Sequence, residues 1–403
     1  MKVAVAVFGS TGSVGSNTVD VIQRNRDKYF VDAVTANKDV EALFAQCMQL
    51  EPRLAAMADP DAAAELSLRL QRAASPTTVV TGSSPLCQIA ADPNIPVVMA
   101  AIVGFAGLAP TFESVRNGKK VLLANKEAMV VAGEILNSAA ARSGAMMVPV
   151  DSEHNAIFQC LSEKDQARRT VLNPGSNVVS LILTASGGPF RTWSTSQMEA
   201  ATIAEATNHP NWSMGSKISI DSATMMNKGL EIIEACFLFG VDEKFIEVVV
   251  HPQSVVHSMV RYRDGSILAQ LGTADMRTPI ANALAWPERV DAGVEPLDFM
   301  RLSGLEFEAP DGRRFPCLEL ARSALVQGGA ATGVLNAANE VAVESFLNGA
   351  IGFMDIPKIN AHALRSFKFD SPTTIEDLIR IDQSVRQQTL QFIECGLVPV
   401  ETI

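Results

Sequence analysis

The chain has 403 residues, 47% of them hydrophobic and 19% charged, and a formal net charge of −11. That length asks for two or three domains rather than one core, the acidic balance argues against a nucleic-acid groove, and no apolar run approaches the roughly 20 residues that span a bilayer. Six cysteines without a Cys-x-x-Cys pair indicate neither a zinc site nor a disulfide framework, and no targeting peptide precedes the first strand-like run, so a reducing cytoplasm is expected.

Val3 to Phe8 is a continuous apolar run, followed by Gly9-Ser10-Thr11-Gly12-Ser13-Val14-Gly15 and a helical pattern from Asn17 to Arg24. Strand, glycine turn and helix is the order a dinucleotide site needs, because the glycines let the backbone approach a pyrophosphate at the positive end of the helix. The spacing is G-x-x-G-x-x-G rather than G-x-G-x-x-G, and an ordinary turn fits it as well. Phe30 to Ala36, Val97 to Ile102, Lys120 to Leu123 and Met146 to Pro149 read as further strands, the rhythm of a parallel α/β sheet. After the second strand stand Asn37-Lys38-Asp39. Lys38 favours NADP over NAD, while Asp39 also suits the cap of a helix beginning at Val40. Leu123-Ala124-Asn125-Lys126-Glu127 leaves a strand and starts a helix reaching about Arg142. Strand carboxyl ends are where such sheets bind ligands, so Lys126 and Glu127 are candidates, with a charge pair in a first helical turn as the plain alternative.

Asp151-Ser152-Glu153-His154-Asn155 places two carboxylates two residues apart. Read as extended backbone, Asp151 and Glu153 project to one side and suit a hard cation, Mg²⁺ or Mn²⁺; a solvated acidic loop with a helix cap is the bland reading. Val178 to Thr184 reads as a strand, and the turn Ala185-Ser186-Gly187-Gly188-Pro189-Phe190 offers amides and a hydroxyl to an anion. Asn208 to Gly215 is a loop in which Trp212 is either a mobile lid or packed core. Ile218 to Asp221 reads as a short strand leading to a helix that reaches Phe239. Here Ser222, Asn227 and Lys228 supply donors for a phosphate, and Glu231 or Glu234 a third carboxylate. Ile246 to Val250 and Val255 to Tyr262 read as strands, with His251 and His257 given no catalytic role, and Asp264-Gly265 as the hairpin turn to Ile267 through Leu271. Ala285 to Pro310 reads as a connector. Beyond it, apolar residues recur at helical spacing, including Leu318, Ala321, Leu335, Ala338, Val341 and Phe346, then from Ile375 to Phe392; a small helical bundle follows, with no chemistry of its own.

Taken together, these segments closely resemble the 1-deoxy-D-xylulose 5-phosphate reductoisomerase family. The match runs in family order through Gly9–Gly15, Leu123–Glu127, Pro149–Phe158, Thr184–Phe190, His209–Gly215, Lys217–Glu231, His251–Tyr262 and Asp275–Pro287, and more loosely Asn336–Glu340. The resemblance implies an α/β fold: an N-terminal Rossmann-like NADPH domain (1–150), a central α+β catalytic and dimerisation domain (151–285), a connector (286–311) and a C-terminal α-helical bundle (312–403). It implies a homodimer using NADPH and a divalent cation, Mg²⁺, Mn²⁺ or Co²⁺, with no nucleic-acid or membrane partner. The implied reaction rearranges 1-deoxy-D-xylulose 5-phosphate, through cleavage and rejoining of its carbon chain, and reduces the branched aldehyde to 2-C-methyl-D-erythritol 4-phosphate, a step of non-mevalonate isoprenoid synthesis. Asp151, Glu153 and Glu231 are thereby implied as metal ligands, and Ser186, Ser222, Asn227 and Lys228 as phosphate contacts. Lys126, Ser152 and His209 are implied at the sugar, and Thr11, Gly12, Ser13, Val14, Asn37, Lys38, Asp39, Asn125, Glu127 and Gly215 at NADPH. Asp39 departs from the Asn frequent in the family, which puts an anion near the 2′-phosphate. A sugar-phosphate oxidoreductase of different carbon chemistry and a nucleotide- or phosphate-binding sensor are the competing readings.

Overall fold

A computed structural model describes residues 1–166, 172, 176–212 and 214–396. Contacts divide the chain into two compact units: Met1–Ala128, Leu136–Asn155 and Asp275–Pro296 form the first, and Met129–Ile135, Ala156–Ala274 and Leu297–Ile403 the second.

The first unit is built on seven parallel strands: β1 (Val3–Phe8), β2 (Tyr29–Ala36), β3 (Leu54–Met57), β4 (Thr78–Thr81), β5 (Val97–Ala100), β6 (Lys120–Leu123) and β7 (Met146–Pro149). Their order is β4-β3-β2-β1-β5-β6-β7. The chain steps outward from β1 to β4, then returns to the other side of β1, so the glycine turn after β1 stands at the switch point where doubly wound sheets bind ligands. Ala6, Phe8, Ala33, Ala56 and Val98 form one buried cluster with Ile89, Ala90 and Ile95. The helices α1 (Ser13–Arg24), α2 (Val40–Leu50), α3 (Lys126–Ser143) and α4 (Ser152–Cys160) follow β1, β2, β6 and β7. The return of Asp275–Pro296 to this unit differs from the sequence division, which runs a central domain to residue 285. Charge and hydrogen bonding explain it. Arg277 pairs with Asp20 at 3.2 Å, Asn25 donates to the Asp291 carbonyl at 2.9 Å, and the Lys120 ammonium donates to the Leu284 and Trp286 carbonyls at 2.9 and 3.0 Å.

The second unit holds a mixed sheet of β8 (Val178–Ala185), β9 (Ile246–Val250), β10 (Val256–Tyr262) and β11 (Ile267–Leu271), ordered β11-β10-β8-β9. β10 pairs antiparallel with β8 and β11, and β8 pairs parallel with β9. Its helices include α5 (Ser216–Ala223), α6 (Met226–Phe239), α7 (Cys317–Gln327), α8 (Ala331–Leu347), α9 (Asp355–Ser366) and α10 (Ile375–Glu394). Met226, Leu230, Ile233, Cys317, Ala321, Leu335 and Leu364 share one core cluster. The expected strand over Ile218–Asp221 is instead part of α5. Its alternating isoleucines mimic a strand, but Ser219, Ile220, Asp221 and Ala223 are all buried, and packing overrides propensity. Among the described residues no helix is long and apolar enough to cross a membrane.

Candidate active site

The glycine turn is shaped by contact. Gly9 has φ +75°, and a Cβ there would lie 2.6 Å from the Ala101 carbonyl oxygen; one on Gly15 would lie 2.2 Å from the Gly9 oxygen. The Gly9 N–H donates to the Thr35 hydroxyl at 2.8 Å, and the Gly12 N–H to the Gly9 carbonyl at 3.1 Å. α1 starts at Ser13 with no side-chain cap from Gly12, and Thr11, Gly12, Ser13 and Val14 are partly or fully exposed, a setting in which a helix's first amides suit an anion.

Asn37, Lys38 and Asp39 are exposed where β2 gives way to α2. The Asp39 carboxylate caps α2, accepting from the Ala42 N–H at 3.0 Å, while Lys38 reaches Asp59 at 3.6 Å and is 73% exposed. At the end of β6, Asn125 caps α3 through the Ala128 N–H at 2.9 Å and donates to the Ile102 and Gly104 carbonyls. Both its amide hydrogens are committed to the protein, which leaves no side-chain donor for a nucleotide. Lys126 and Glu127 are both buried in the first turn of α3.

At the end of β7 the acidic motif is not extended, as the sequence reading had it. Asp151 stands just before α4 and accepts from the Glu153 N–H at 3.3 Å, while Glu153 lies in the first turn of α4 and accepts from the Ser152 hydroxyl at 2.5 Å. A helix start satisfies amides that extended backbone would leave without partners. The Lys126 ammonium pairs with Asp151. Burial raises the Asp151 pKa, but Lys126 and His154 hold it well below the usual carboxylate range. The His154 ring, fully buried with Nδ1 3.7 Å from Asp151, was not singled out from sequence; its only signal was the i, i+3 spacing.

The second unit carries the residues expected at the phosphate, Ser186 and Ser222 on adjoining segments and Asn227 and Lys228 on one carboxylate. Ser186 Oγ accepts from the Gly188 N–H at 3.1 Å. A Cβ on Gly188, at φ +66°, would sit 2.6 Å from the Ser222 carbonyl oxygen, so the Ser186 turn packs directly on the end of α5. His209 Nδ1 accepts from the Asn211 and Trp212 N–H groups at 3.2 and 3.0 Å. The ring proton therefore sits on Nε2 and is donated to Ser186 Oγ at 2.8 Å. Burial lowers the His209 pKa and favours this neutral ring. Trp212 is half-buried, its ring centroid 6.2 Å from that of His257; Ser213 lies outside the described residues. Gly215 precedes α5, and Met225, in the left-handed region at φ 59°, turns the chain into α6. In that first turn Asn227 donates to Glu231 at 2.5 Å and the Lys228 ammonium pairs with the same carboxylate. Lys228, Glu231 and Glu234 are all buried. His251 serves its own strand connection: Nδ1 lies 2.8 Å from the Glu306 carbonyl and Nε2 accepts from the Val255 N–H at 3.2 Å.

A doubly wound dinucleotide-type sheet, with lysine-paired carboxylates in both units, is the architecture of a nucleotide-dependent enzyme. Residues 5–133 match the family model of 1-deoxy-D-xylulose 5-phosphate reductoisomerase, residues 147–239 that of its C-terminal domain, and residues 271–388 the DXP reductoisomerase C-terminal domain. The chain belongs to the 1-deoxy-D-xylulose 5-phosphate reductoisomerase family. The reductoisomerases of Cupriavidus pinatubonensis and Laribacter hongkongensis are each 52% identical to it, over 95% of this chain and 95% of the former, and 96% and 98% for the latter. A crystal structure of DOX-P reductoisomerase in complex with NADPH, fosmidomycin and magnesium superposes with a TM-score of 0.94 at 46% identity, covering 97% of this chain and 98% of that one. The Zymomonas mobilis enzyme in complex with NADPH gives 0.89 at 46%, covering 98% and 100%.

Proposed function

We propose that this chain converts 1-deoxy-D-xylulose 5-phosphate to 2-C-methyl-D-erythritol 4-phosphate with NADPH and a divalent cation. The observation that carries this reading is the first turn of α6, where two anion-binding donors, Asn227 and Lys228, converge on one buried carboxylate, Glu231. An all-oxygen carboxylate set is the donor chemistry a hard cation takes, and Asp151, Glu153 and Glu231 are the ligands we assign. When bound, the cation supplies charge stabilisation at the substrate oxygens, and NADPH supplies hydride.

The protein's own groups do the rest. Ser186, Ser222, Asn227 and Lys228 bind the phosphate, whose remote binding energy orders the reacting end. Lys126 and Ser152 orient the sugar, and Lys126, buried beside Asp151, is placed to hold or return a proton. His209 ties the Trp212 loop to Ser186, so that loop is placed to close over the substrate and exclude water. Thr11, Gly12, Ser13 and Val14 receive the NADPH pyrophosphate, Asn37, Lys38 and Asp39 its ribose end, and Asn125 through its backbone, Glu127 and Gly215 its remaining length. Mg²⁺ is the cation we assign first, with Mn²⁺ and Co²⁺ as alternatives of similar ligation. A cytoplasmic homodimer fits the six free cysteines and the exposed apolar Ile267 and Leu268 on edge strand β11.

The test follows NADPH absorbance on adding 1-deoxy-D-xylulose 5-phosphate with Mg²⁺ or Mn²⁺, then chelator. Metal-dependent oxidation yielding the branched tetritol phosphate is expected. A well-folded protein that oxidises neither NADPH nor NADH under either metal overturns the reading.

A further inference from the structure

The C-terminal helices look chemically silent in sequence, yet they meet the substrate site through a chain of buried polar groups. Asp221 stands next to Ser222 on α5 and is 1% exposed. One of its carboxylate oxygens pairs with Lys217 at 2.7 Å, and the other accepts from the Asn339 amide of α8 at 2.8 Å. The Asn339 carbonyl oxygen in turn accepts from the Asn360 amide of α9 at 3.0 Å. Asn339 and Asn360 are completely buried. A carboxylate only accepts, so Asp221 fixes the direction of both amides, and neither asparagine can turn over without breaking the chain.

Such a network is costly to bury, and apolar residues of similar volume would stabilise the packing of α5 on α8 as well or better. What it adds is a fixed position. The end of α5 is held from two sides: the Gly188 turn packs on the Ser222 carbonyl, and Asn339 holds the preceding residue. Residues 220 and 221 also accept from the Thr224 hydroxyl, and the Met226 N–H donates to that hydroxyl, which ties the same point to the start of α6.

We infer that Asn339 and Asn360 are positioning residues for the phosphate end of the active site, setting the placement of Ser222 through Asp221. The inference rests on the proposed phosphate role of Ser186 and Ser222. In the full-length enzyme, Asn339→Ala is compared with Ser222→Ala by KM for the substrate, competitive inhibition by inorganic phosphate, kcat, NADPH affinity and thermal midpoint. Asn339→Ala raises KM and weakens phosphate inhibition by about tenfold, with kcat within about threefold and NADPH affinity unchanged. Asn360→Ala leaves the Asp221–Asn339 bond in place, shifts both readouts in the same direction by less, and serves as the test if Asn339→Ala does not fold. Unchanged KM and phosphate inhibition in the asparagine variants, beside a weakened Ser222→Ala, overturn this inference alone, even if the thermal midpoint falls. Unchanged values in Ser222→Ala as well overturn the phosphate assignment and the inference with it.

Discussion

At Asp39 a local structural duty and an electrostatic cost fall on one side chain. The carboxylate caps α2, and asparagine caps a helix about as well. Asp39→Asn therefore keeps the fold and removes a negative charge beside the proposed 2′-phosphate position; NADPH binding should tighten by about two- to fivefold, read by fluorescence titration. Glu231→Gln retains an acceptor for Lys228 but removes a ligand charge. Turnover should fall by about a hundredfold or more, with NADPH affinity and the circular dichroism spectrum preserved; normal turnover and metal affinity would refute the ligand role. His209 gives a pH prediction. Its folded pKa is depressed by burial below 6.5, so the neutral ring's contribution is complete above that pH and erodes as the pH falls towards the lowered value. The kcat/KM profile should show an acid limb there, accompanied by a change in Trp212 fluorescence. A kcat/KM profile with no acid limb anywhere below pH 6.5 over the range in which the fold persists would remove the neutral-ring requirement.

At the scale of elements, the Ser186-Gly187-Gly188 turn and α5 behave as one piece. Gly188→Ala combines a left-handed φ with a Cβ 2.6 Å from the Ser222 oxygen, and should cost about 1–3 kcal/mol of stability while raising KM more than it lowers kcat. Urea unfolding and steady-state kinetics would check both. The turn was readable in sequence because glycines beside a serine have few other uses, and β1, β6, β7, β9 and β11 were readable because their apolar runs are short and sharply bounded. β3 and β4 were not identified. Leu54–Met57 is half alanine, and Thr78–Thr81 is too short to declare itself. α5 reads as a strand because two β-branched residues at i and i+2 outweigh, in sequence alone, the buried Asp221, one of whose partners, Asn339, lies more than a hundred residues away. The residue types of the candidate site were legible; the partners that orient them, His154 beside Asp151 and Asn339 beside Asp221, were not.

At the scale of the molecule, β11 is an edge strand on which Ile267 and Leu268 are 44% and 49% exposed. A charged residue on such an edge blocks pairing, so Leu268→Lys should shift the proposed dimer toward monomer in analytical ultracentrifugation at micromolar concentration, and an unchanged sedimentation coefficient would place the interface elsewhere. The pairing of Lys228 with Glu231 has a consequence for the order of assembly. The ammonium proposed for phosphate and the carboxylate proposed for metal pair with each other. Whatever draws Lys228 away leaves Glu231 a stronger ligand, and whatever engages Glu231 leaves Lys228 seeking an anion. On the proposed assignments, substrate and cation should therefore raise each other's affinity by the same factor, as thermodynamic reciprocity requires, and titrating the substrate at several Mg²⁺ concentrations checks it.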